Sequence, residues 1–311
     1  FGWLEVRAGE RFAVTITVHT DMASPHLANF GNKAQKDKYF PDLIAGRKIC
    51  AVGVTEPDAG SDVAGIRTTA VADGDHYVLN GSKMFITNGV KGDIYFIAAK
   101  TDTQVKSSRG ITIFIVEKGT PGFSVGRALD KQGWRCSDTA ELVFDNCRVP
   151  RENILGELNK GFYSIMRNFQ NERTVLAAQS MGEAAKALEM TLQYVQERKA
   201  FGATLWDKQT IRQRLAMLQA KVEAGRQLTY HAAWLDAQGE DAVKEVSMAK
   251  AYCCELVNEV MYTCLQFHGG FGYIRESAIE RMSRDARVQS IGGGATEVML
   301  EEIAKRSVVV S

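Results

Sequence analysis

The sequence has six cysteines (Cys50, Cys136, Cys147, Cys253, Cys254 and Cys264) and no CxxC pair among them. With neither a dense framework nor metal spacing, they read as reduced, mostly buried thiols of a cytosol-like compartment. No apolar run reaches the roughly 18 residues needed to cross a bilayer, so no membrane role is expected. An excess of one charge is missing too. With 38 Lys and Arg against 37 Asp and Glu, the net charge of +1 leaves no electrostatic footprint for nucleic acid. His268 has no second His, Cys or carboxylate at ligand spacing, so it is expected as a packed histidine and no metal is expected. Internal repeats and low-complexity segments are absent.

The 311 residues, 45% hydrophobic and 24% charged, suit a soluble globular chain with room for about two domains. Three compositional zones divide them. Residues 1–47 are helix-like through "VTITVHTDMASPHLANFG" and "NKAQKDKYFPDLIAG", with Gly46 as a stop. Residues 48–150 are strand-rich: "IRTTAVADGDHYVLNG" alternates around a "DGD" turn, and "DIYFIAAKT" and "GITIFIVEK" are apolar throughout. Residues 151–311 are helical. "GFYSIMRNFQNERTVLAAQSMGEAAKALEMTLQYVQERKAFG" repeats apolar residues at three and four spacings, which predicts one long helix. Two more long helices, near Thr210–Ala237 and Glu240–His268, and two shorter ones complete an antiparallel bundle. Helices, a small antiparallel β domain and a helical bundle, in that order, define an α+β class.

One stretch resists that bland reading. "SIGGGATEVM" sets Gly292, Gly293 and Gly294 before a helix start. It lacks the Lys-Ser or Lys-Thr of a P-loop and the GxGxxG spacing of a dinucleotide turn, leaving either an anion cradle of another kind or a flexible turn before a helix capped by Thr296.

"VGVTEPDAGSDVAG" (Val52–Gly65), "GSKMFITNG" (Gly81–Gly89), "RCSDTAELVF" (Arg135–Phe144), "ERKAFG" (Glu197–Gly202) and "QFHGGFGY" (Gln266–Tyr273) occur in this order. Together these five blocks in register resemble the acyl-CoA dehydrogenase family of FAD-dependent enzymes. The match spans nearly the whole chain. The chain opens on "FGWLEVRAGE" without a methionine, and residues 1–47 resemble the remnant of the family's first helical domain. Family chemistry removes an α-proton from an acyl-CoA thioester and passes a β-hydride to N5 of FAD. The resemblance therefore implies an acyl-CoA dehydrogenase of lipid β-oxidation with FAD as cofactor. It also implies an electron-transfer flavoprotein as partner, a dimer-of-dimers homotetramer, and a bacterial cytoplasm, preferred here, or a mitochondrial matrix. Two alternatives stay open: an oxidase with oxygen as acceptor, and a non-catalytic FAD-binding scaffold.

Carried over by motif, Val54 and Thr55 meet the pyrimidine side of the flavin ring, and Phe85 and Thr87 lie near N5. Arg198, Phe201, Gln209, Gln266, Gly269 and Gly270 resemble the residues that hold the adenosine and pyrophosphate of a neighbouring subunit's FAD. Arginine offers a charge-assisted fork to phosphate, and glycines allow close backbone approach. Ser61 resembles the serine that meets the coenzyme A arm, beside Asp58 where a glycine is commoner.

The resemblance also gives the glycines a role. Commoner family members carry the catalytic glutamate at the position of Gly293, preceded by an aromatic at that of Gly292. Long-chain and isovaleryl-CoA dehydrogenases place the base on the long helix instead, and "FQNERTVLA" puts Glu172 there, before Arg173. Phe169, Glu172 and Arg173 stand at i, i+3 and i+4, on one helical face toward the acyl thioester. Gly293 is then expected to offer its backbone N–H to the thioester oxygen, and Gly292 to leave room for branched or bulky acyl chains. Ala295 replaces a family threonine.

Overall fold

The computed structural model of the protein describes residues 13–307; residues 1–12 and 308–311, which the first and last zones include, lie outside the described residues. Two compact units emerge, one of residues 13–131 with 135–171, the other of 132–134 with 172–307.

In the first unit, α1 (Ala13–Thr17) runs through a π-helical turn (Val18–Ala23) into α2 (Ser24–Phe30). Helix α3 (Lys33–Ile44) begins at a reciprocal cap: Asn32 Oδ1 accepts from Gln35 N–H at 2.9 Å and Gln35 Oε1 accepts from Asn32 N–H at 3.1 Å. It stops where Gly46 turns left-handed at φ +67°, a conformation only glycine adopts cheaply. The strands are β1 (Cys50–Gly53), β2 (Thr69–Asp73), β3 (His76–Thr87), β4 (Ile94–Lys100), β5 (Ile111–Glu117), β6 (Phe123–Ala128), β7 (Thr139–Pro150) and β8 (Ile154–Leu155). They form one sheet in the order β6-β7-β3-β2-β4-β5-β8, with β1 also on β4. Pairing is antiparallel except between β1 and β4 and at the single Thr69–Lys100 contact of β2 with β4.

The doubly apolar strands explain the layering. Ile94, Phe96 and Ala98 of β4 and Ile111, Ile113 and Ile115 of β5 join a core with Leu27, Tyr39 and Leu43 from the helices. The intervening Tyr95, Ile97, Phe114 and Val116 join a second core with Leu79, Leu142 and Phe144. A period of two thus feeds two cores from the same strands. Each large aromatic there is worth about 3–5 kcal/mol against truncation to alanine.

The long helix α4 (Gly161–Glu197) begins in the first unit and continues into the second. After a hairpin of β9 (Lys199–Ala200) and β10 (Ala203–Thr204) come α5 (Gln209–Ala237), α6 (Val243–His268), α7 (Ala278–Ala286) and α8 (Thr296–Lys305). Ala177, Met181, Ala184 and Leu188 of α4 pack with Leu215, Leu218 and Val222 of α5 and Val246, Cys253, Val257 and Val260 of α6. A Cβ at Gly225 would sit 2.5 Å from Met181 Sδ, so a larger residue there would force the methionine of α4 to move. The thiols are free, and all but Cys136 are buried.

Candidate active site

The glycine turn lies in the bundle unit, between a short 3-10 segment (Arg287–Ser290) and α8. Gly293 and Gly294 have φ of +65° and +106°. Gly292 has an ordinary φ, and a Cβ there would meet nothing nearer than the Val288 carbonyl at 3.6 Å. The N–H groups of Ile291 and Gly292 donate to that carbonyl at 2.9 and 2.8 Å, whereas the Gly293 N–H donates to no group among the described residues. Thr296 does not cap α8. The N-cap is Ala295, without a side-chain bond, and the Thr296 hydroxyl donates to Glu255 Oε1 at 2.6 Å. A carboxylate brought from α6 wins over the local backbone.

Helix α4 brings Glu172 and Arg173 to this unit with only 6% and 7% exposure, so Glu172 is not a solvated surface glutamate. A Cβ on Gly294 would lie 3.7 Å from Arg173 Nε and Nη2, and one on Gly293 would lie 2.4 Å from Leu176 Cδ1. The face of α4 carrying Glu172 and, one turn on, Leu176 therefore abuts the glycine turn. Burial lowers the Arg173 pKa while the Glu172 charge opposes that shift. Phe169, one turn earlier, is half-buried against the core of the sheet unit.

In the sheet unit, the segment after β1 is tied to β3 by a buried ion pair. Lys83 Nζ, on a fully buried side chain, donates to Glu56 Oε1 at 2.7 Å and to the Val54 carbonyl at 3.1 Å. Glu56 also accepts from the N–H groups of Arg67 and Thr68, and Met84 N–H donates to the Thr55 carbonyl at 2.9 Å. Burial pushes the Lys83 ammonium down to about 8, against the pull of Glu56. Burial pushes the Glu56 carboxyl up, but Lys83 and the N–H donors outweigh it and its pKa falls. The lowered lysine speaks against an ionised pair and the lowered carboxyl speaks for one. The carboxylate's direction decides, because three donors surround it.

At Phe85 the register with β7 slips between Lys83 and Ile86, and the backbone takes φ +61°. A bulky residue there is strained, yet the bulge leaves the ring 65% exposed, with Thr87 half-buried two residues on. Ser61 is exposed, and Asp58 pairs with Arg67 at 2.9 Å on the surface.

The bundle unit shows a similar feature. Phe201 and Gly202, at φ +54° and +78°, form the two-residue turn of the β9–β10 hairpin, a shape that favours Asn and Gly. Phe201 is nonetheless 96% exposed there. Arg198, Gln209 and Gln266 are exposed, and at Gly269, with φ +58°, and Gly270 an added Cβ would meet nothing within 4 Å. His268 is packed, its ring 4.4 Å from that of Tyr194 and its Nδ1–H on the Cys264 carbonyl at 2.8 Å. Each unit thus holds one exposed phenylalanine on strained backbone. Sequence reasoning missed Glu56, Lys83, Lys250, Leu176 and Gln289. For Lys83 a signal existed: a charge at an inward position of an alternating strand.

The fold and these features define a flavin-dependent oxidoreductase. Family models described as the N-terminal, middle and C-terminal domains of acyl-CoA dehydrogenase match residues 5–47, 51–147 and 159–308. The mouse (Mus musculus) mitochondrial long-chain specific acyl-CoA dehydrogenase is 42% identical over 293 residues, covering 94% of this chain and 68% of that protein. A subunit of the caffeyl-CoA reductase–Etf complex of Acetobacterium woodii is 42% identical over 286 residues, 92% of this chain and 75% of its own. The crystal structure of an acyl-CoA dehydrogenase from Geobacillus kaustophilus superposes with a TM-score of 0.96 at 41% identity, covering 99% of this chain and 81% of that one. The chain belongs to the acyl-CoA dehydrogenase family, FAD-dependent oxidoreductases of fatty acid β-oxidation.

Proposed function

We propose that the chain converts an acyl-CoA thioester to the trans-2-enoyl-CoA, with Glu172 as the base that takes the α-proton. One observation carries this reading. Gly293 has a left-handed φ and Leu176 fills the direction of its missing Cβ, while Glu172, one turn before Leu176 on the same helix, is buried. Both features favour a base at Glu172 over one at position 293. The Gly293 N–H is available to hold the thioester oxygen as negative charge builds on it, and Arg173 keeps the surroundings of Glu172 cationic.

FAD, when bound, supplies the acceptor for the β-hydride. Val54, Thr55, Phe85 and Thr87 would line its ring, and Arg198, Phe201, Gln209, Gln266, Gly269 and Gly270 would hold its adenosine and pyrophosphate across a homotetramer. Ser61 would meet the coenzyme A arm, and Phe169 and Gly292 the acyl chain. The open surroundings of Gly292 support tolerance of branched or bulky chains. An electron-transfer flavoprotein fits as redox partner, since a relative of 42% identity is a subunit of an Etf complex.

The test is anaerobic titration of FAD-loaded protein with straight and branched acyl-CoAs, following flavin absorbance, for wild type and Glu172→Gln. Wild type bleaches and Glu172→Gln slows by about 100-fold or more, as loss of a general base predicts. Equal bleaching of both would place the base elsewhere.

A further inference from the structure

The glycine turn poses a mechanical problem. Three consecutive glycines have more backbone freedom than any other tripeptide, yet the proposed role of Gly293 requires one N–H to be held in one direction. Helix α6 supplies the restraint. Lys250, fully buried, extends its ammonium to the carbonyls of Gln289, at 2.9 Å, and Gly294, the residues that bracket the turn. Gln289 is fixed in its own right. Its side-chain oxygen accepts from Ser180 Oγ, its amide nitrogen donates to the buried Glu183, and Glu183 accepts in turn from Gln179 Nε2 at 2.8 Å. Ser180 Oγ also lies 2.8 Å from the Leu176 carbonyl, on the helix turn that fills the space beside Gly293, and that carbonyl shares the single hydroxyl hydrogen with Gln289.

We infer that Lys250 is a positioning residue for the reaction: by clamping both ends of the turn it aims the Gly293 N–H and sets a positive charge behind it. A buried cation bonded only to neutral carbonyls costs stability, whereas behind an oxygen that gains negative charge it stabilises the transition state more than the bound substrate. The inference rests on the proposed site, and its test separates the two.

Hydrogen exchange is measured on the FAD-free chain and rapid anaerobic flavin bleaching on the loaded protein, for wild type, Lys250→Met and Lys250→Gln. Amides in the peptide 288–296 are expected to exchange at least tenfold faster in both variants, with those of α6 unchanged. Bleaching at saturating acyl-CoA is expected to slow about 10- to 100-fold while half-saturation shifts less than threefold. Unchanged exchange at the turn of a folded variant overturns the inference. So does faster exchange spread evenly over α6 and α8, which marks a purely structural lysine. Failure of wild type to bleach with any acyl-CoA refutes the proposed function instead, and the exchange result still decides the clamp.

Discussion

The two units fix their functional backbone by different means. In the sheet unit a buried lysine, Lys83, meets a buried carboxylate, Glu56, and together they bind the Val54–Thr55 segment to β3. In the bundle unit a buried lysine, Lys250, meets only carbonyls of the turn it holds. The first arrangement satisfies charge with charge and specifies a rigid strand edge. The second leaves its positive charge uncompensated by a bonded carboxylate, directed at a turn made of glycine. A cation paired with an anion favours a fixed fold, whereas one bonded to dipoles can still respond to an anion that arrives.

Breaking each lysine separates these cases, and the sheet unit is expected to suffer more. Lys83→Met strands the Glu56 carboxylate in the core and is predicted to destabilise by about 3–5 kcal/mol, read as a lower urea midpoint. Lys250→Met strands only carbonyls, and the cost should stay near 1–3 kcal/mol. An equal loss from both would mean that charge pairing does not distinguish them.

The elements of both units were readable in the sequence, whereas the partners of the two lysines were not. The three-and-four spacing of α4 and the two-residue period of β4 and β5 are local, and both elements appear where the patterns place them. That Gly293 and Glu172 stand at the two positions where the resemblance puts a base was legible because five motif blocks kept register. Lys83 reaches Glu56 across 27 positions and Lys250 reaches Gln289 and Gly294 across 39 and 44. No local pattern encodes such partners. Thr296 fails for the same reason: its local preference is to cap, but Glu255 lies 41 positions away in sequence and takes the hydroxyl.

A third buried cation-former sharpens the contrast by having no partner. His26 is fully buried against Phe30 and Phe96, and neither ring nitrogen has a hydrogen-bond partner among the described residues. Burial pushes its pKa down to about 4, from the ordinary 6.5. The unfolded chain therefore takes up the proton first as pH falls. The stability held above pH 6.5 should decline by about 3 kcal/mol by pH 4. His26→Leu should flatten that part of the urea-midpoint profile. A profile unchanged by the substitution would assign the acid sensitivity to other groups, with Glu56 the first candidate because its lowered pKa also loses stability toward low pH.

The smallest expected effect divides the glycine turn itself. Gly293→Ala must hold a Cβ at φ +65° and 2.4 Å from Leu176 Cδ1, so it should cost about 1–3 kcal/mol and slow flavin bleaching by any acyl-CoA. Trimming Leu176 to Ala in the same chain should relieve the clash but not the backbone strain. Gly292→Ala meets no such barrier and should change stability by less than about 0.5 kcal/mol. If Gly292 is what admits wide acyl chains, that single methyl should lower bleaching by branched acyl-CoAs several-fold while leaving straight chains near wild type. One glycine is then required by the backbone and the other by the substrate. Equal discrimination by wild type and Gly292→Ala would remove the second requirement and move the control of acyl shape away from the turn.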